Sequence, residues 1–175
     1  MNRARPAPEL DPDANPASVA RSIVLRQLTN SAKSRHQLAQ KLAERNIPED
    51  VAEAVLDRFE SVKLIDDAEF AHMWVRSRSM HKSLARGALR RELAEKGIAP
   101  DLAEQALEQI DDDIEREQGK DLVRRKLRTS IDLSDRAERD KYTRRWVGML
   151  ARKGFNPSLA FGMVAEVIDE SRQDD

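Results

Sequence analysis

Residues Leu38–Leu56, LAQKLAERNIPEDVAEAVL, align without a gap on Leu89–Leu107, LRRELAEKGIAPDLAEQAL, with about half of the positions identical. The two stretches lie 51 residues apart, Leu42 matching Leu93. A weaker third copy follows at Trp146–Val164, WVGMLARKGFNPSLAFGMV, 57 residues on, in which Leu150, Gly154 and Ala160 keep their places. Self-similarity at a fixed period is the mark of a repeat architecture, in which each unit buries little alone and relies on stacked neighbours. Each copy holds two helical patterns separated by a turn, and a further helix precedes each copy. The reading is therefore all-α, with three tandem three-helix repeats stacked into an elongated, curved array.

Outward from the repeat, the apolar residues keep a helical period throughout. Leu38 and Leu42, Val51 with Val55 and Phe59, Phe70 with Met73 and Trp74, and Tyr142 with Trp146 and Leu150 fall at i, i+3 or i, i+4, and no alternating strand pattern competes. Nine helices are predicted, over 17–29, 34–45, 48–62, 67–80, 84–96, 100–110, 113–129, 135–153 and 157–170. Ser34 with Gln37 and Asp66 with Glu69 fit reciprocal caps. Pro48, Pro100 and Pro157 stand where a first helical residue has no N–H to lose. Gly97 and Gly154 fall where a left-handed residue ends the preceding helix. The expected organisation is a disordered tail over 1–16, repeats over 17–65, 66–112 and 113–170, and a frayed end over 171–175.

Composition agrees with thin packing. Charged residues make up 36% of the 175 and aromatics 4%, while Leu, Ile, Val and Phe together reach 22%. That apolar share is barely above the ~20% below which a strongly charged chain stays unfolded, but the net charge is only −1. A folded, unusually polar protein is expected. With Cys 0 there is no disulfide framework, thiolate metal site or cysteine nucleophile. No apolar run spans a bilayer, and no apolar run follows Arg3 and Arg5 as a signal peptide requires. The expected compartment is the cytoplasm.

The near-zero net charge conceals blocks. Arg76, Arg78, Lys82, Arg86, Arg90 and Arg91 follow one another with no acid between them. An acidic block over 101–117 comes next, and then Lys120, Arg124, Arg125, Lys126 and Arg128. A third basic group holds Arg144, Arg145, Arg152 and Lys153. Arg86 with Arg90, and Lys120 with Arg124 and Arg128, share helix faces at a spacing of four. Such stripes suit either a phosphate backbone or an acidic protein surface; solvated helix faces are the plain alternative.

Catalytic patterns are weak by comparison. His36, His72 and His81 show no ligand spacing, and no phosphate-cradling glycine loop is present. Asp66-Asp67 and Asp111-Asp112-Asp113 stand where helices begin, where carboxylates favour the positive end of the dipole. Trp74 and Trp146 belong to apolar stripes, which favours core packing over stacking on bases. The expectation is a protein without catalytic residues, metal or cofactor.

The stretch Leu64-Ile65-Asp66-Asp67-Ala68-Glu69-Phe70-Ala71, continued by Trp74-Val75-Arg76-Ser77-Arg78, resembles the signature of RecX regulatory proteins. Leu89-x-x-Glu92-Leu93-x-x-Lys96-Gly97-Ile98 and Lys120–Leu127 extend the resemblance, which covers 17–170 and is most specific in the middle repeat. Two departures are Lys63, where the family often has glycine or tyrosine, and Ser83, where many members have glycine; Ser83 is expected to cap the next helix instead. The resemblance implies three three-helix repeats and a partner, RecA. It implies binding to the RecA–single-stranded DNA filament and inhibition of filament extension, ATPase and strand exchange, which modulates recombination, DNA repair and the SOS response. In that context the partner-binding residues expected are Arg76, Arg78, Lys82, Arg86, Arg90 and Arg91, with Lys120, Arg124, Arg125 and Arg128 as a second stripe. A monomer is expected, with weak direct DNA binding at most and no membrane contact. The rival reading is a direct DNA-binding protein of helix-turn-helix type acting without RecA, although no recognition helix presents Asn, Gln and Arg to one groove.

Overall fold

In a computed structural model, residues 15–127 and 133–173 are described. The tail expected over 1–16 lies outside them except for Asn15 and Pro16, and so does Arg128. Among the described residues all regular structure is helical: α1 Pro16–Asn30, α2 Arg35–Ala43, α3 Glu49–Ser61, α4 Asp67–Lys82, α5 Arg86–Glu95, α6 Pro100–Leu107, α7 Asp112–Arg124, α8 Arg136–Arg152 and α9 Pro157–Gln173. The described residues up to Phe70 form one compact unit and those from Ala71 onward a second.

The caps follow local chemistry. Ser34 and Gln37 close a full capping box on α2, with Gln37 N–H donating to Ser34 Oγ at 3.3 Å and Ser34 N–H to Gln37 Oε1 at 3.2 Å. Asp66 Oδ1 accepts from Glu69 N–H at 3.1 Å, and Asp111 Oδ1 accepts from the N–H groups of Asp113 and Ile114. These acids hold helix starts, as their positions suggested. Pro100 and Pro157 each open their helix, whereas Pro48 sits one residue earlier, as the cap of α3.

The repeat is visible residue by residue. Leu42, Leu93 and Leu150 are each 0% exposed, and Leu38, Leu89 and Trp146 are buried beside them. Ala52, Ala103 and Ala160 are buried in the following helices, as are Leu56, Leu107 and Val164. The turn between the paired helices is also common to the copies. Ile47, Ile98 and Phe155 N–H donate back to the carbonyls of Leu42, Leu93 and Leu150 at 3.1 Å in each case. That return requires one left-handed residue, supplied by Asn46 (φ 55°), Gly97 (φ 72°) and Gly154 (φ 92°).

In the first unit α1, α2 and α3 all pack on one another around Ile23, Leu38, Leu42, Leu56 and Phe59. In the second, α9 packs on α7 and α8, with Val123, Trp146, Leu150 and Val164 in its core. Here α5 meets the α8–α9 turn backbone to backbone: Ala85 N–H donates to Lys153 O at 2.9 Å and Gly87 N–H to Gly154 O at 3.1 Å.

Several boundaries move for physical reasons. α7 stops at Arg124 rather than 129, where Lys126 and Leu127 N–H donate three residues back, to the Val123 and Arg124 carbonyls, and tighten the last turn. α6 stops at Leu107, where Ile110 N–H donates to Leu107 O and the Ile110 carbonyl is taken by the Arg86 guanidinium. α9 runs past 170 to Gln173. Ser83 does not cap α5: it adopts φ 49°, and Ala85 is the cap residue. Lys63, at φ 59°, is left-handed too. Both departures from glycine thus occupy conformations that cost an L-residue about 1–2 kcal/mol. Lys63→Gly and Ser83→Gly are each expected to raise stability by about 0.5–1 kcal/mol after the entropy cost of glycine, read as a small increase in urea midpoint.

Candidate partner-binding surface

The basic residues divide sharply once the helices are folded. Arg86, at the first position of α5, is committed within the chain. Its N–H donates to Glu115 Oε1 at 2.7 Å, and its guanidinium bonds Asp112, Glu115 and the carbonyl of Ile110. Arg90 forms a two-pronged pair with Glu104 at 2.5 and 2.9 Å. Lys120 is 8% exposed and surrounded by Glu170 at 2.7 Å, Glu117 at 3.4 Å and Glu166 at 3.4 Å. Arg124 bonds Glu117, Asp121 and Glu170.

Arg78 is partly committed. Its guanidinium lies 4.4 Å from the Trp74 ring centre, and its Nε is 3.1 Å from Glu92 Oε2 in an ion pair whose geometry is not that of a hydrogen bond. Trp74 Nε1–H donates to the same carboxylate at 2.8 Å, and Lys96 Nζ lies 4.9 Å from the ring. Two cations and an acid therefore hold the half-buried Trp74. Trp146 is in the core at 3% exposure, as its stripe predicted.

Four of the expected residues are exposed with no acid at ion-pair distance among the described residues: Arg76 and Lys82 on α4, Arg91 on α5 and Arg125 after α7. Among the described residues Arg125 donates to its own helix, at Asp121 O. Beside Arg76 stand two residues absent from the charge-based reading. Met73 and Met80, 40% and 70% exposed, fall at i−3 and i+4 from Arg76 and share its face of α4. Met73 is thus outside the core to which its periodicity assigned it. Long flexible thioethers beside a cation make an adaptable docking face. Arg144, Arg145 and Arg152 on α8 are likewise exposed, while Lys153 Nζ donates to Lys82 O at 2.7 Å.

The intramolecular pairs set the pH response. Arg90 holds the Glu104 carboxyl below its ordinary range, the ammonium of Lys120 and then Arg124 do so for Glu170, and the Glu69 N–H does so for Asp66. The Glu170 carboxylate raises Lys120. Depressed carboxyls contribute stability that is complete above their unfolded values, about 4–4.3, and is lost as pH falls through the folded ones. The raised lysine contributes below about pH 10.4, and that contribution is lost as pH rises through its folded value. Melting temperature is therefore expected to fall as the pH is taken from about 5 to 3. Glu104→Gln is expected to make that acid slope shallower.

Three-helix repeats with exposed cations and methionines, and with acids such as Glu104, Glu115 and Glu166 paired across helices, define a helical-repeat protein. Family models match it twice: the RecX first three-helix domain over residues 20–59 and the RecX second three-helix domain over 66–107. A regulatory protein RecX of Streptomyces coelicolor is 46% identical over 164 residues, covering 94% of this chain and 85% of that protein. One of Mycolicibacterium vanbaalenii is 41% identical over 167 residues, covering 94% and 91%. The crystal structure of RecX from Lactobacillus salivarius superimposes with a TM-score of 0.74 at 22% identity, over 87% of this chain and 96% of that one. A second crystal structure of a regulatory protein RecX gives 0.71 at 25% identity, over 90% and 79%. The chain belongs to the RecX family of regulatory proteins. Among the described residues no helix is long and apolar enough to cross a membrane.

Proposed function

We propose that this protein binds RecA and the RecA–single-stranded DNA filament in the cytoplasm and inhibits filament extension, ATPase and strand exchange. It thereby modulates recombination, DNA repair and the SOS response. The observation that carries this reading is the 46% identity to a curated RecX regulator over nearly the whole chain. The distribution of charge supports it. Of the ten basic residues expected at the interface, Arg86, Arg90, Lys120 and Arg124 are spent within the chain and Arg78 is half spent. The binding role therefore falls first on Arg76, Lys82 and Arg91, with Met73 and Met80 as apolar neighbours, and then on Arg125. A repeat protein touching several protomers gains affinity through effective concentration, so each contact need only be modest.

The test is the single-stranded-DNA-dependent ATPase of RecA, titrated with this protein from well below equimolar upward at two salt concentrations. Inhibition at low ratios, weakening with salt, is expected. Inhibition only at ratios that saturate the DNA would instead mean competition for the strand.

A further inference from the structure

The second and third repeats close the seam between their first and third helices with a side chain at one repeated position, and the first repeat departs from the pattern. In the middle repeat that position is Gln109. Its amide donates to His72 O at 3.3 Å and lies 3.4 Å from His72 Nδ1, tying the end of α6 to α4. In the third repeat it is Glu166, which pairs with Arg116 and Lys120 on α7. In the first repeat the same position, 51 residues before Gln109, is Arg58, and the residue 51 before His72 is Arg21. Two guanidiniums face the seam where the other copies place a hydrogen-bonding or oppositely charged pair.

The consequence is an open groove between α1 and α3. Arg21 and Arg58 both line it, and among the described residues each donates within its own helix, to Ser18 Oγ at 3.2 Å and Ser61 Oγ at 3.5 Å. Among the described residues no acid is at ion-pair distance from either. The groove has a volume of about 330 Å³ over a floor of Val51, Val55 and Phe59. Asp50 stands at its rim.

We propose that this groove binds an acidic, apolar segment of a partner protein, with a carboxylate bridging Arg21 and Arg58 and a neighbouring apolar side chain on the floor. The chemistry selects protein over nucleic acid. Two guanidiniums match the fork of one carboxylate, the apolar floor offers nothing to a phosphate backbone, and Asp50 repels a polyanion. The partner's carboxylate supplies the acid that Glu166 supplies from within the third repeat. The inference needs no assumption about RecA.

The experiment uses the full chain and a labelled helical peptide with Glu and Leu spaced four apart, followed by fluorescence anisotropy. The same peptide with Gln for Glu, and a single-stranded oligothymidylate as competitor, are run beside it. Binding is expected to be about ten-fold weaker for the Gln peptide, the equivalent of one lost charge-assisted contact, and unaffected by the oligonucleotide. Arg58→Glu installs in the first repeat the arrangement of the third. It is expected to raise the melting temperature by pairing with Arg21 and to weaken the Glu peptide at least as much. Equal binding of the two peptides, undiminished binding to a folded Arg58→Glu protein, or displacement by the oligonucleotide would overturn the proposal.

Discussion

Gly154→Ala is expected to destabilise the second unit by about 4 kcal/mol or more, which places it among the most damaging single changes. At roughly 2–4 °C per kcal/mol for a chain of this size, the melting temperature should fall by about 10 °C. Two independent causes act together. The residue holds φ 92°, where a side chain is strained whatever the space around it. Its added Cβ would also stand 2.1 Å from the Ala88 nitrogen and 2.6 Å from the Ala88 Cβ, atoms of α5 that no rotamer change can move. Relieving that overlap pulls α5 off the turn and stretches the Ala85–Lys153 and Gly87–Gly154 hydrogen bonds. Gly97→Ala is the control. Gly97 has φ 72° on an exposed turn, and the backbone strain of about 1–2 kcal/mol is expected there. Equal losses for the two variants in thermal melts would mean that the close approach of α5 is absent in solution.

The largest functional loss is expected from Arg76→Gln, Lys82→Gln and Arg91→Gln combined. Among the described residues these cations have no acid to release, so removing them should leave the melting temperature within about 2 °C, since surface changes of this kind stay near ±0.5 kcal/mol each. If they contact the filament, inhibition of the RecA ATPase should need about ten-fold more protein or beyond, as about 0.5–1 kcal/mol is lost at each contact. Arg86→Gln should behave in the opposite way, breaking the hold on Asp112, Glu115 and the Ile110 carbonyl and lowering stability first. A triple variant that inhibits as well as the parent would remove these three residues from the interface.

The contrast between Arg76 and Arg86 marks where sequence reading succeeds and where it fails. The helices, their caps and the repeat are legible because each depends on neighbours within a few positions: Ser34 on Gln37, Leu42 on Ile47 across one turn. Asn46 could have been placed with Gly97 and Gly154 from the alignment alone, since asparagine is the residue that most readily takes glycine's left-handed role. Charge is different. The basic run from Arg76 to Arg91 has no acid in its own stretch, yet Glu104, Asp112 and Glu115 reach it from later helices. The acidic block is thus partly the counter-charge of the basic one. Of the stripe Lys120, Arg124 and Arg128, the first is buried against Glu166 and Glu170 and the second pairs with Glu170, while Arg128 lies outside the described residues. Met73 was missed because periodicity places it in an apolar stripe, and Met80 because no sequence pattern singles it out. Only packing shows that both face outward.

In the proposed function this helical-repeat protein acts on the RecA filament and not on the bare strand. The most direct test is the anisotropy of the labelled full chain titrated with RecA filaments preassembled on single-stranded DNA, against the same DNA without RecA, at one near-physiological salt concentration. Saturable binding to the filament is expected at concentrations where the bare strand gives no change. Equal or tighter binding to the bare strand would contradict it and favour a protein that recognises DNA directly.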